Sequence, residues 1–90
     1  MTDEKEIVVR LHGFLSEFGD AGQVTLRATG ELTPIELKAK LADYFLTKDP
    51  NFKVSLLESS AVGNNQQIFH ASDVISNFEG LAILPPVCGG

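Results

Sequence analysis

The sequence predicts one α+β domain in which a single main helix covers one face of a mixed β-sheet. Three observations lead to this prediction: two alternating apolar segments near the N-terminus, one strongly capped helical segment, and a short apolar run before the C-terminus. The chain has 90 residues, of which 43 % are hydrophobic, and this is sufficient for one modest core.

The first two strands are indicated by apolar side chains at every second position. Residues 6–14 and 23–28 show this alternation, and residues 18–22 between them carry the glycines of a turn. Two alternating segments joined by a glycine-bearing connection are typical of an antiparallel hairpin.

The main helix is predicted to begin at Thr33-Pro34-Ile35-Glu36. The threonine can cap the helix, the proline suits the first helical position, and the glutamate completes a capping box. One apolar stripe follows that should lie on the sheet, formed by Leu37, Leu41, Tyr44 and Phe45. Asp49-Pro50 repeats the cap-then-proline signal, so residues 51–57 are predicted to form a short helical turn, with a strand over 54–57 as the alternative.

The second half of the chain predicts three further short strands. Residues 59–63 and 66–69 indicate a hairpin around the two asparagines, residues 71–77 a loop, and residues 81–84 a buried strand that closes the sheet. At strand spacing, some apolar side chains must face the core and others must form an exposed patch, which is typical of a partner surface. The sequence does not show which side each of five residues takes: Phe14, Phe69, Phe78, Ile83 and Leu84.

The last six residues carry the functional signal. Pro85 and Pro86 each hold φ at about −65° and offer no N–H, so the sheet cannot take in the residues after them. Gly89 and Gly90 add nothing to a core, but they suit a narrow channel that admits bare backbone and presents the Gly90 carboxylate to a reagent. We therefore expect residues 1–84 to form the domain and residues 85–90 a flexible C-terminal arm.

The segment Pro85-Pro86-Val87-Cys88-Gly89-Gly90 resembles the Pro-Pro-Val-(Ser/Thr/Cys)-Gly-Gly ending of the ubiquitin-like sulfur carriers, the family of the small subunits of molybdopterin synthase. Residues 14–19 also resemble, loosely, the Phe-Ala-x-x-x-Glu-x-x-Gly stretch of that family. The loops depart from it: residues 62–64 stand where Val-Asn-Gly is common, and residues 78–81 where Gly-Asp-x-Val is common. These departures leave the sulfur-carrier subfamily open.

The resemblance implies a β-grasp (ubiquitin-like) fold and a sulfur carrier of molybdenum cofactor biosynthesis. Gly90, with Gly89 beside it, would be adenylated by an ATP-dependent activating enzyme, converted to a thiocarboxylate and inserted into the large subunit of molybdopterin synthase. The residues implied to contact partners are Leu84, Pro85, Pro86, Val87 and Cys88. Two alternatives remain: a carrier for thiamin thiazole or cysteine synthesis, and a ubiquitin-like modifier or binding module.

Charge and composition exclude several function classes. The formal net charge is −5, so a nucleic acid is an unsuitable partner. No lysine or arginine occurs from Val54 to Gly90, and this acidic end of the chain would suit a basic pocket in a protein partner. An accident of a short chain explains the same charge pattern equally well. No apolar run has membrane-spanning length and residues 1–6 lack a signal-peptide core, so we expect a cytosolic protein without a membrane partner.

The sequence shows no active site of its own. His12, His70 and Cys88 have no metal-ligand spacing, so no metal site is predicted, and both histidines are interpreted as ordinary surface or half-buried residues. The chain is also expected to bind no cofactor, because the activating enzyme uses the ATP. Cys88 is interpreted as a small side chain where the family also accepts serine, with a mixed disulfide as the alternative.

Overall fold

The computed structural model describes residues 4–85. Five strands form one mixed sheet: β1 (Glu4–Leu11), β2 (Gln23–Thr29), β3 (Ala61–Gly63), β4 (Ile68–Phe69) and β5 (Ala82–Leu84). Their order is β2-β1-β5-β3-β4; β1 is parallel to β5, and the other neighbours are antiparallel. One main helix, α1 (Pro34–Lys48), and a short one, α2 (Ser55–Glu58), complete the regular structure. This arrangement is that of a β-grasp fold, so the predicted fold class is confirmed.

The first strand ends earlier than the alternation predicted. β1 stops at Leu11, and residues Gly13–Phe18 form a 3-10 helix, so the expected strand over residues 6–14 is wrong at its end. The chain turns here because Gly13 has a φ of +60°, which no strand can accommodate. Leu15 is then fully buried and Phe14 is 39 % exposed.

The start of α1 is the one predicted from sequence. The N–H of Glu36 donates to Thr33 Oγ1 at 3.2 Å, and the N–H of Thr33 donates to Glu36 Oε1 at 2.9 Å. Both halves of the capping box therefore form, with Pro34 at the first helical position. In the predicted stripe, Leu37, Leu41 and Phe45 are fully buried against the sheet. The fourth residue of the stripe, Tyr44, is half-buried.

Replacing Thr33→Ala is expected to lower the free energy of unfolding by about 1 kcal/mol, because the N–H of Glu36 loses its partner, Thr33 Oγ1. Thr47→Ala is the matched control: Thr47 is exposed near the end of the same helix, and alanine has the higher helix propensity there. Urea denaturation would measure both. Equal midpoints for the two variants would contradict a stabilising cap.

The core lies on one face of the sheet, where side chains of α1, the 3-10 helix, α2 and the connecting loops meet the strands. Alternate residues of each strand point to it, including Ile7, Val9, Val62 and Ile83, all at most 1 % exposed. We call the other side of the sheet the open face; cross-strand pairing places on it Val8, Arg10, His12, Ala61, Gly63, Ala82 and Leu84. Within residues 4–85, no helix is both long and apolar enough to cross a membrane.

Candidate functional site

The candidate site is the point where β5 leaves the sheet at Leu84 and continues into Pro85. β5 lies between β1 and β3, so backbone pairing holds it on both edges. On the β1 side, the N–H of Arg10 donates to the Leu81 carbonyl at 2.9 Å, and the N–H of His12 donates to the Ile83 carbonyl at 3.3 Å. The predicted arm therefore starts from a strand that is fixed in the middle of the sheet.

The structure shows which of the apolar residues left unassigned by the sequence face the core and which do not. Ile83 points into the core and is fully buried, as is Leu81 just before the strand. Phe14 is exposed, while Phe69, Phe78 and Leu84 are half-buried. The apolar surface beside β5 is thus formed by Ala82 and Leu84, not by the whole run of residues 81–84. Three apolar residues extend it on other strands: Val8 on β1, Ala61 on β3 and Ile68 on β4.

Polar side chains border this apolar surface. Arg10, His12, Asn64 and Asn65 surround a shallow pocket of about 390 Å³ that also contacts Leu84. Among residues 4–85 the one ion pair within 4.0 Å joins Arg27 to Glu4, so Arg10 forms no ion pair within this part of the chain, although Glu6 and Glu79 line a neighbouring pocket with it. The site therefore combines an apolar surface with a cation that could receive a partner's acidic side chain.

Sequence reasoning did not single out Arg10, although a signal for it existed. The alternation in β1 that buries Ile7, Val9 and Leu11 necessarily turns Arg10 and His12 outward. What the alternation could not supply was their neighbour, because β5 joins β1 only in the folded sheet. Both histidines are exposed, as interpreted from the sequence.

Of the predicted site residues, the structure places two. Leu84 ends β5 on the open face, and Pro85 follows it, half-buried. The other five lie outside the described residues, so their roles stay predictions: Pro86, Val87, Cys88, Gly89 and Gly90.

A second groove, of about 460 Å³, lies on the helical side of the sheet between α1 and α2. It is lined mainly by apolar side chains, among them Ile35, Val54 and Leu57. Lys38 crosses it and donates from Nζ to the Glu58 carbonyl at 3.2 Å. Burial lowers the pKa of Lys38 below its ordinary value, and the Glu58 carboxylate opposes this shift. The groove is formed by other elements than the end of β5 and takes no part in the candidate site.

Comparison with known proteins gives no match: no family model fits the chain, and no curated protein or solved structure is significantly similar to it. The functional interpretation accordingly depends on the fold and on the sequence of the last six residues.

Proposed function

We propose that this chain is a ubiquitin-like sulfur carrier that serves as the small subunit of molybdopterin synthase, with the Gly90 carboxylate as its reacting group. The observation that carries the proposal is that Pro-Pro-Val-Cys-Gly-Gly follows directly on β5, the central strand of a β-grasp sheet. The proposal requires Gly90 to be the last residue of the mature protein, which its intact mass would test.

The first chemical step is activation of the carboxylate, because a carboxylate is a poor electrophile until it carries a good leaving group. A carboxylate oxygen of Gly90 attacks the α-phosphate of ATP in the activating enzyme, and pyrophosphate leaves. Hydrosulfide then attacks the carbonyl carbon of the acyl-adenylate, AMP leaves with the electron pair of the broken C–O bond, and the thioacid loses its proton. One carboxylate oxygen has then been replaced by sulfur, which gives a thiocarboxylate.

The second step takes place in the large subunit of molybdopterin synthase. The thiocarboxylate enters that subunit, and its sulfur forms a C–S bond with a cyclic pyranopterin phosphate, where the dithiolene of molybdenum cofactor is built. Water then attacks the Gly90 carbonyl carbon, the C–S bond to Gly90 breaks, the sulfur keeps the electron pair and stays on the pterin, and the Gly90 carboxylate is restored. This chain supplies the sulfur and its placement, and the partner supplies the acid, the base and the phosphate contacts. The sulfurtransferase activity thus belongs to the complex.

The described structure supports this division of labour. Backbone pairing on both edges of β5 holds the start of the arm in place, and the ring of Pro85 restricts the φ angle of that residue. A segment ordered before insertion loses less conformational entropy when it binds. The open face, with Leu84 and Ala82 beside Arg10, gives the large subunit an apolar surface with a cation at its edge.

Mixing this chain with the synthase large subunit from its own source is expected to give a stable complex at micromolar concentration. Leu84→Gln should weaken that complex by about tenfold or more, because Leu84 lies on the open face at the start of the arm. Ile35→Gln is the matched control, since Ile35 is an apolar helix residue 64 % exposed on the other side of the sheet. Both substitutions leave the net charge unchanged.

Titration calorimetry would give the dissociation constants, and melting temperatures would show whether either variant is destabilised. The molybdenum assignment fails if the wild-type chain forms no complex. The open face is not the docking surface if Ile35→Gln weakens the complex as much as Leu84→Gln.

A further inference from the structure

The turn after β1 touches the start of the arm. Gly13 follows β1 with a φ of +60°, and a Cβ placed on it would lie 2.8 Å from Cγ of Pro85. Carbon atoms in contact are about 3.5–4.0 Å apart, so no larger residue fits here unless Pro85 moves. The backbone of Gly13 is therefore packed directly against the Pro85 ring.

The turn that carries Gly13 is itself held in place. The Gly13 carbonyl accepts a hydrogen bond from Ser16 Oγ at 2.8 Å, and Leu15, in the same 3-10 helix, is fully buried. One residue earlier, the N–H of His12 donates to the Ile83 carbonyl at 3.3 Å. The turn thus contacts β5 and its continuation on both sides of Leu84.

Proline makes this contact consequential for the backbone. Its ring closes onto the nitrogen of the Leu84–Pro85 peptide, so a displacement of Cγ larger than a change of ring pucker also moves the backbone at Pro85. A flexible side chain in this position could rotate away and leave the backbone where it was. Pressure on the Pro85 ring is therefore passed to the backbone at the point where the chain leaves the sheet.

We infer that Gly13 is a positioning residue that holds Pro85, the first residue of the C-terminal arm, in place through their contact. The inference rests on the proposed function for its importance to sulfur chemistry, but the contact itself does not depend on that function. Pro85 is the first residue of the proposed arm, so moving it would move the point from which the arm delivers Gly90 to a partner's site. A misplacement of about 1 Å at a reacting centre can cost about a hundredfold in rate.

Gly13→Ala tests the inference, with Gly30→Ala as the matched control. Gly30 also has a positive φ, of +72°, but a Cβ placed on it would meet nothing within 4 Å. Both variants therefore carry the strain of alanine in the left-handed region, and only Gly13→Ala presses on Pro85. With the activating enzyme, ATP and a sulfur donor, kcat for sulfur acquisition should fall by about tenfold or more in Gly13→Ala relative to Gly30→Ala, with KM little changed.

A rescue variant separates positioning from a merely structural role. Pro85→Ala removes Cγ and Cδ of residue 85 and leaves Cβ, which lies 3.9 Å from the Cβ position of residue 13, an ordinary contact. In the Pro85→Ala background, adding Gly13→Ala should change kcat by less than about twofold. An equal loss from Gly13→Ala with and without the Pro85 ring would overturn the inference, as would wild-type kcat in the single variant.

A second measurement applies even if the wild-type chain acquires no sulfur, a result that would defeat the proposed function alone. In NMR spectra, Gly13→Ala should shift the amide signal of Leu84, which precedes Pro85, and Gly30→Ala should leave that signal unchanged. A wild-type Leu84 signal in Gly13→Ala would show that Gly13 does not hold Pro85 in place.

Discussion

Deletion of Gly90 is expected to abolish the acquisition of sulfur by this chain, a loss of well over a hundredfold in rate. The proposed reacting atom is the carbonyl carbon of Gly90, and the deletion would withdraw the terminal carbonyl by about 3.5 Å, the length of one extended residue. Misplacement by about 1 Å at a reacting centre can already cost about a hundredfold. Stability should hardly change, because the buried core of the described residues ends at Ile83.

The measurement is the intact mass after incubation with the activating enzyme, ATP and a sulfur donor, read for exchange of one oxygen by sulfur. Gly89→Ala should also be impaired, since a methyl group restricts φ and crowds a channel that fits glycine. Cys88→Ser is the control within the same arm and should retain sulfur transfer, because the reaction runs through Gly90.

Two outcomes would change the mechanism. If the deletion acquires sulfur and supports product formation as well as wild type, with unchanged melting temperatures, the carrier mechanism is wrong. If Cys88→Ser loses as much activity as the deletion, the thiol takes part in the reaction, as a mixed-disulfide step would require.

Phe45→Ala is expected to have the largest effect on stability, lowering the free energy of unfolding by about 3–5 kcal/mol. Phe45 is fully buried, and its ring lies 5.3 Å from that of Phe18 and 5.0 Å from that of Phe52, measured between centroids. Alanine would leave a cavity where these aromatic rings meet and would remove the edge-to-face contact with Phe52 and the tilted contact with Phe18. Domains of this kind are stable by about 5–15 kcal/mol, so the variant would lose much of its stability.

Thermal unfolding would show this change as a fall in Tm of at least about 12 °C. Phe14→Ala is the control with the same substitution, and it should cost about 1 kcal/mol or less because Phe14 is 39 % exposed. Similar melting temperatures for the two variants would contradict the placement of Phe45 at the centre of the core.

Local features of the fold could be predicted because their physical causes are local. The capping box joins Thr33 to Glu36, three positions away, and the apolar stripe of α1 follows from the period of the helix. The hairpin of β1 and β2 was likewise predicted from alternation and glycines. The end of β1 was missed, because alternation continues past Leu11 while the positive φ of Gly13 turns the chain.

The sequence by itself determined the fold class, the start of the main helix and the proposed reacting end of the chain. These depend on neighbouring residues: side-chain period, capping groups, and the Pro-Pro-Val-Cys-Gly-Gly segment. Only the tertiary structure decided that β5 lies between β1 and β3, that Arg10 borders the start of the arm, and that Gly13 packs on Pro85. Each of these three contacts joins residues far apart in the chain, and no periodicity in the sequence encodes which strand becomes the neighbour of another.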